Sequence, residues 1–126
     1  MRTMKFMCLA YEEEEKLNAL SPSEWDALRS ETIAYVESLR ASGHLVLTHA
    51  LKSTRTAATV RVRSGRRVVT DGPFAEAKEV VGGFFLIEAR DHDEALELAS
   101  RWPSARFGAI EVRPVEEALP PDKRYA

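Results

Sequence analysis

Apolar residues gather along the chain in short runs separated by polar breaks. The first run, residues 5–11 (Lys5-Phe6-Met7-Cys8-Leu9-Ala10-Tyr11), is almost continuous. A run this short predicts a strand covered on both faces. The acidic stretch Glu12 to Glu15 ends it and predicts a solvated loop. Ser21-Pro22-Ser23-Glu24 then predicts a helix start, with a capping Ser, a Pro in the first turn and a Glu three residues after the cap. Trp25, Leu28, Thr32, Tyr35, Val36 and Leu39 follow at helical spacing and predict one buried stripe, and Gly43 predicts the stop.

Residues 44–51 (His44-Leu45-Val46-Leu47-Thr48-His49-Ala50-Leu51) predict a second strand. Simple alternation places Leu45, Leu47, His49 and Leu51 on one face. Two short strands, residues 59–63 and 66–70, meet around Ser64-Gly65 and predict a hairpin. Asp71-Gly72-Pro73-Phe74 is a turn signal, and residues 75–81 predict a loop. Residues 83–89, containing Phe84-Phe85-Leu86-Ile87, predict a third long strand apolar on both faces. A second helix starts at Asp91, with Glu94 completing a capping box. It buries Ala95, Leu98, Ala99 and Trp102 and stops at Pro103. A last strand, residues 107–113, alternates Ile110 and Val112 against Glu111 and Arg113.

The order is strand–helix–strand, hairpin, strand–helix–strand, which predicts a ferredoxin-like α+β sandwich with a single domain over residues 1–115 and a surface arm over 116–126. Helices cover one face of such a sheet, yet two strands are apolar on both faces. The expected cover for the second face is a second copy of the chain, giving a homodimer whose paired sheets enclose a cavity.

Composition narrows the function classes. The chain has 126 residues, 44% hydrophobic and 30% charged, with 18 Lys plus Arg against 20 Asp plus Glu. The near-balance argues against a nucleic-acid or anionic-membrane coat. A single Cys, Cys8, builds neither an internal disulfide nor a thiolate cage. No apolar run reaches the ~20 residues of a membrane span. No signal-peptide core precedes Glu12, so the expected setting is cytoplasmic.

Val60-Arg61-Val62-Arg63-Ser64-Gly65, Val68-Val69-Thr70-Asp71-Gly72-Pro73-Phe74-Ala75-Glu76-Ala77-Lys78-Glu79 and Gly82-Gly83-Phe84 resemble the DGPF group of YCII-related proteins. Gly43-His44-Leu45, the stretch from Asp91 to Trp102-Pro103, and Ile110-Glu111-Val112-Arg113-Pro114-Val115 extend the likeness to nearly the whole chain. The resemblance implies the dimeric α+β barrel fold. Better-known members of the wider superfamily include lyases, isomerases and monooxygenases acting on ring compounds. Shorter YCII-like proteins are thought to use a His–Asp pair with the His on the first helix. Residues 21–41 contain no His, so that pair does not carry over. The resemblance also implies an association with extracytoplasmic-function sigma factors.

The candidate catalytic residues are Asp71 and His49. Asp71 is an acid or base at a loop, or else the anchor of a tight turn. His49 is a general base if its face lines a cavity, or a core histidine if it packs under the helices. Phe74, Glu76, Lys78 and Glu79 are candidate ligand-binding residues of the same loop, set against a plain solvated charge cluster. Arg61 and Arg63, with Arg66 and Arg67, make the hairpin basic, suited to an anion or an acidic partner surface, or simply to a soluble edge. No metal-ligand spacing, phosphate loop or dinucleotide fingerprint calls for a metal or cofactor. Nucleic acid is not an expected partner, because no basic helix or stacking motif accompanies the arginines. Two readings remain open: a small-molecule site with lyase- or isomerase-type acid–base chemistry, and a non-catalytic regulatory module docking on a sigma factor.

Overall fold

The computed structural model describes residues 2–125. Nine regular elements follow in order: β1 (Met4–Glu12), α1 (Glu14–Asn18), α2 (Pro22–Ala41), β2 (Leu45–Ala50), β3 (Ala58–Arg63), β4 (Arg66–Asp71), β5 (Val80–Ala89), α3 (His92–Ser100) and β6 (Ala109–Pro114). Short 3-10 turns at Thr54–Thr56 and Pro103–Arg106 complete the chain.

The main sheet has the strand order β2-β5-β1-β6, every pairing antiparallel. This is the ferredoxin-like arrangement expected from the element order. The two strands apolar on both faces, β1 and β5, are its centre. On one face Phe6, Cys8, Phe85, Ile87 and Ala89 are fully buried under α2 and α3. The Phe85 and Trp102 rings stack with centroids 4.0 Å apart, and the Tyr35 hydroxyl donates to Leu98 O at 2.6 Å, which ties α2 to α3. On the other face Met7, Leu9, Phe84 and Leu86 are only half-buried.

The capping box at Ser21 forms as expected: its hydroxyl accepts from Glu24 N and the Glu24 carboxylate accepts from Ser21 N. At α3 the Asp91 carboxylate accepts from Glu94 N, but Glu94 accepts from Arg90 N, one residue before the cap. Gly43 has φ +80, the left-handed conformation that ends α2.

Three expectations need correction. The acidic run is not a loop: Glu12 ends β1, and Glu14 and Glu15 open α1, where carboxylates favour the positive end of the helix dipole. β2 does not alternate simply. Leu45 pairs with Ile87 while Leu47 pairs with Leu86, so the register shifts at Val46. Leu45 therefore shares the helix-covered face with Ile87, whereas Leu47 and His49 share the uncovered face with Leu86 and Phe84. The α2 stripe is not uniformly buried. Leu28 and Leu39 are buried, but Trp25 is 47% exposed, because the first half of α2 overhangs a cleft instead of resting on the sheet.

The β3–β4 hairpin forms its own two-stranded sheet, turning at Ser64 (φ +50) and Gly65 (φ +73). Both signs suit the two-residue hairpin turns that match strand twist. Past Pro114, residues 115–125 contain no helix or strand.

Candidate functional site

Two adjoining cavities open on the helix-covered side of the sheet, beneath the start of α2. The outer one, about 530 Å³, is lined by Glu12, Glu14, Trp25, Lys52, Arg55 and neighbouring residues. The inner one, about 360 Å³, runs down to Leu28, Thr32, Val36 and Trp102, with Thr48, His49, Ala50 and Leu51 of the β2 edge as a wall. Glu12, Leu17, Trp25, Leu51 and Gly82 border both, so the two form one cleft with a charged mouth and an apolar floor. That combination is the ordinary build of a small-ligand site.

Glu12 reaches the junction through an irregularity in the sheet. Ala10 pairs with Gly83 and Tyr11 with Val81, so Gly82 is an extra residue on β5. A Cβ at Gly82 would overlap the Glu12 carboxylate. The missing side chain of Gly82 is thus the space the Glu12 carboxylate occupies. Gly83 is constrained too, less severely: its Cβ would sit 3.0 Å from His49 O. The Gly82-Gly83 pair seats the carboxylate and lets β2 approach β5.

The two carboxyls at the mouth are shifted in opposite directions. Burial raises the Glu12 carboxyl above its ordinary 4.5, and the neighbouring charge of Glu14 adds to the effect. No hydrogen bond contributes to its state. Glu14 is lowered, chiefly by the Ser53 hydroxyl donating to Oε1 at 2.5 Å and by Thr54 N donating to Oε2 at 2.9 Å, with the Thr54 hydroxyl adding a third bond at 3.0 Å. Glu14 is spent on fixing the loop after β2. Glu12 has no comparable hydrogen bonds among the described residues. Paired carboxyls with environments that push them apart are the usual mark of an acid–base assignment.

Most residues singled out by sequence lie elsewhere. Asp71 ends β4, exposed and paired with Ala58. The turn beside it is held by the backbone: Gly72 (φ +104) donates its N–H to Ala57 O, and Thr59 donates to Gly72 O. The His49 ring lies 5.9 Å from the Phe84 ring, on the side of the sheet away from Trp102. Phe74 is 79% exposed and meets the Arg61 guanidinium at 5.3 Å, so two predicted ligand-binding residues do come together. Arg63 stays at the hairpin tip and donates to Val62 O. Glu76 and Lys78 border an open groove of about 640 Å³ lined also by Glu13, Glu14 and Glu15, which adjoins the outer cavity through Glu14, Asn18 and Arg55; Glu79 is exposed and lies outside it. His44 is occupied structurally, its Nδ1 2.8 Å from Glu88 O. Cys8 is pushed up to about 12 by burial, which leaves it an unreactive thiol. Among the described residues no cluster of three metal-ligating side chains occurs, and no helix is long and apolar enough to cross a membrane.

Sequence reasoning passed over Glu12, Trp25 and Gly82. The available signal was the glycine pair following an acidic strand end. Its meaning depends on a strand pairing that spans about seventy residues.

Comparison with known proteins agrees with this architecture. An uncharacterised protein of Rhizobium meliloti (strain 1021), R00369, is 36% identical over 114 residues, covering 89% of this chain and 92% of the relative. The fold is similar to that of 5-chloro-2-hydroxyhydroquinone dehydrochlorinase from Burkholderia phenoliruptrix AC1100, solved in complex with 2,5-dihydroxybenzoquinone. The TM-score is 0.53 at 18% identity, covering 91% of this chain and 96% of that one. Residues 4–118 match the YCII-related domain, and the chain belongs to that family.

Proposed function

We propose that the cleft beneath α2 binds a small ring-containing molecule and that Glu12 exchanges a proton with it, in chemistry of the lyase or isomerase type. The observation that carries this reading is the Glu12 carboxyl, raised by burial and seated over Gly82 at the neck of an apolar chamber. Trp25, 47% exposed, offers a flat apolar surface suited to a ring, and the buried Trp102 closes the floor beneath it. The structural neighbour acts on a chlorinated hydroxyhydroquinone and was solved with a ring quinone, which supports the same ligand class. This reading gives the proton to Glu12 in place of Asp71, at the end of β4, and His49, whose ring lies beside Phe84 on the other face of the sheet.

The chain's only two Trp residues both border the inner chamber, so intrinsic fluorescence reports its occupancy. Hydroquinones are expected to change the emission saturably. Exchange of ring hydrogens for solvent deuterium is expected to be catalysed by the wild type and slowed about 10²–10⁴-fold in Glu12→Gln, which keeps the shape and removes the base. Absence of saturable change with any ring compound at millimolar concentration contradicts the binding claim. Unchanged exchange in Glu12→Gln contradicts the role of Glu12.

A second reading rests on the hairpin. Val60, Val62 and Val69 are 60%, 63% and 48% exposed. Arg61, Arg63, Arg66 and Arg67 have no carboxylate partner within 4.0 Å among the described residues. An apolar stripe flanked by unpaired cations suits an acidic protein surface, such as that of a sigma factor. Co-purification at low salt with a sigma factor encoded nearby, lost on changing the four arginines to Ser, supports this reading. No complex under those conditions counts against it.

A further inference from the structure

The inner chamber carries more chemistry than its apolar floor. Two of its polar side chains have their protons already committed. The Thr32 hydroxyl donates to Leu28 O at 2.8 Å, one helical turn back, and the Thr48 hydroxyl donates to Phe84 O at 2.9 Å, across the β2–β5 pair. A hydroxyl has one proton and two lone pairs. Each of these therefore faces a ligand as an acceptor. The Glu12 carboxylate, once ionised, is an acceptor too, and Ser104 can play either role.

Resting on the ring-site reading above, we infer that the chamber selects a neutral ring bearing hydroxyl groups, a phenol or an enol, and that Thr48 and Thr32 are the residues that read those hydroxyls. A ring hydroxyl brings the donor that both threonines lack. A methyl ether of the same ring brings none and leaves these half-buried acceptors without a donor, the kind of mismatch that gives discrimination. A ring carboxylate seated in the inner chamber sets acceptor against acceptor beside Glu12, because Lys52 and Arg55 line only the outer cavity. Thr48 is the sharper of the two, because its hydroxyl is oriented by the sheet, whereas Thr32 lies on the overhanging part of α2.

The test is titration calorimetry with hydroquinone, 1,4-dimethoxybenzene and benzoate. Hydroquinone is expected to bind at least about tenfold more tightly than either of the others. Thr48→Val, which keeps shape and strand preference, is expected to reduce the preference over the dimethyl ether at least about fivefold, while Thr48→Ser retains it. Thermal melts of both variants verify folding. If the ether or benzoate binds as tightly as hydroquinone, this inference is overturned while the ring-site reading stands. If Thr48→Val keeps the full preference, the assignment to Thr48 is overturned. If no ring compound binds, both readings fall together.

Discussion

Glu12 and Glu14 are two residues apart and do opposite work. Glu14 accepts three hydrogen bonds from Ser53 and Thr54, whereas Glu12 has burial and a like charge as its surroundings. The pH consequences have opposite signs. Folded Glu12 holds its proton more tightly than in the unfolded chain, so its contribution to stability falls as pH rises from the ordinary 4.5 through its raised value. Glu14 contributes stability that is present above the ordinary value and is lost as pH falls through its lowered one. Melting curves across pH are therefore expected to lose the decline that sets in above 4.5 in Glu12→Gln and the decline below 4.5 in Glu14→Gln. If Glu12 is the base, kcat/KM rises with pH through a value above 4.5 and becomes flat there in Glu12→Gln. None of this is legible in residues 12–15 as one acidic run. Four like charges look alike until strand, helix and loop place them apart.

At the scale of elements, local pattern is a sound guide where sequence neighbours decide the outcome. Ser21 and Glu24 cap α2, and Ser64-Gly65 turns the hairpin, because each motif closes within a few residues. It fails at the irregularities of the sheet. Val46 on β2 and Gly82 on β5 are extra residues that switch faces, and only the partner strand reveals them. Gly82 ties this scale to the site. Gly82→Ala places a methyl on the Glu12 carboxylate, which must swing away, and is expected to cost up to about 1 kcal/mol by chemical denaturation. In a Glu12→Ala background the same change is expected to cost at least ~0.5 kcal/mol less, the mark of a direct clash. Additive costs in that cycle contradict the seating of Glu12 over Gly82. Trp102 is the other hinge of the site, stacked on Phe85 and forming the chamber floor. Trp102→Ala is expected to cost about 3–5 kcal/mol, so it reports on the core and not on ligand binding.

For the whole molecule, the layer of helices buries one side of the sheet and leaves Met7, Leu9, Phe84 and Leu86 only half-buried on the other. The double apolar character of β1 and β5 makes this legible in the residue pattern alone. Our proposal is that a second copy covers that face. Light scattering is then expected to give twice the 14.1 kDa chain mass, and Leu86→Glu is expected to give the single mass. A wild-type monomer at high micromolar concentration contradicts it. The location of the ligand site is less legible. The enclosed volume expected between paired sheets is distinct from the cleft found between sheet and α2, which exists because Trp25 overhangs instead of packing down. Nothing in the spacing of the α2 stripe distinguishes a residue that fills a core from one that roofs a cavity.

The central claim is that the ring site lies in that cleft. An amide-resolved NMR titration of the labelled protein with hydroquinone tests it most directly. The account predicts shifts concentrated at Glu12, Thr48, Gly82 and the indole N–H groups of Trp25 and Trp102. Shifts confined to Met7, Leu9 and Leu86 on the opposite face, or to the hairpin around Arg61 and Phe74, would contradict it.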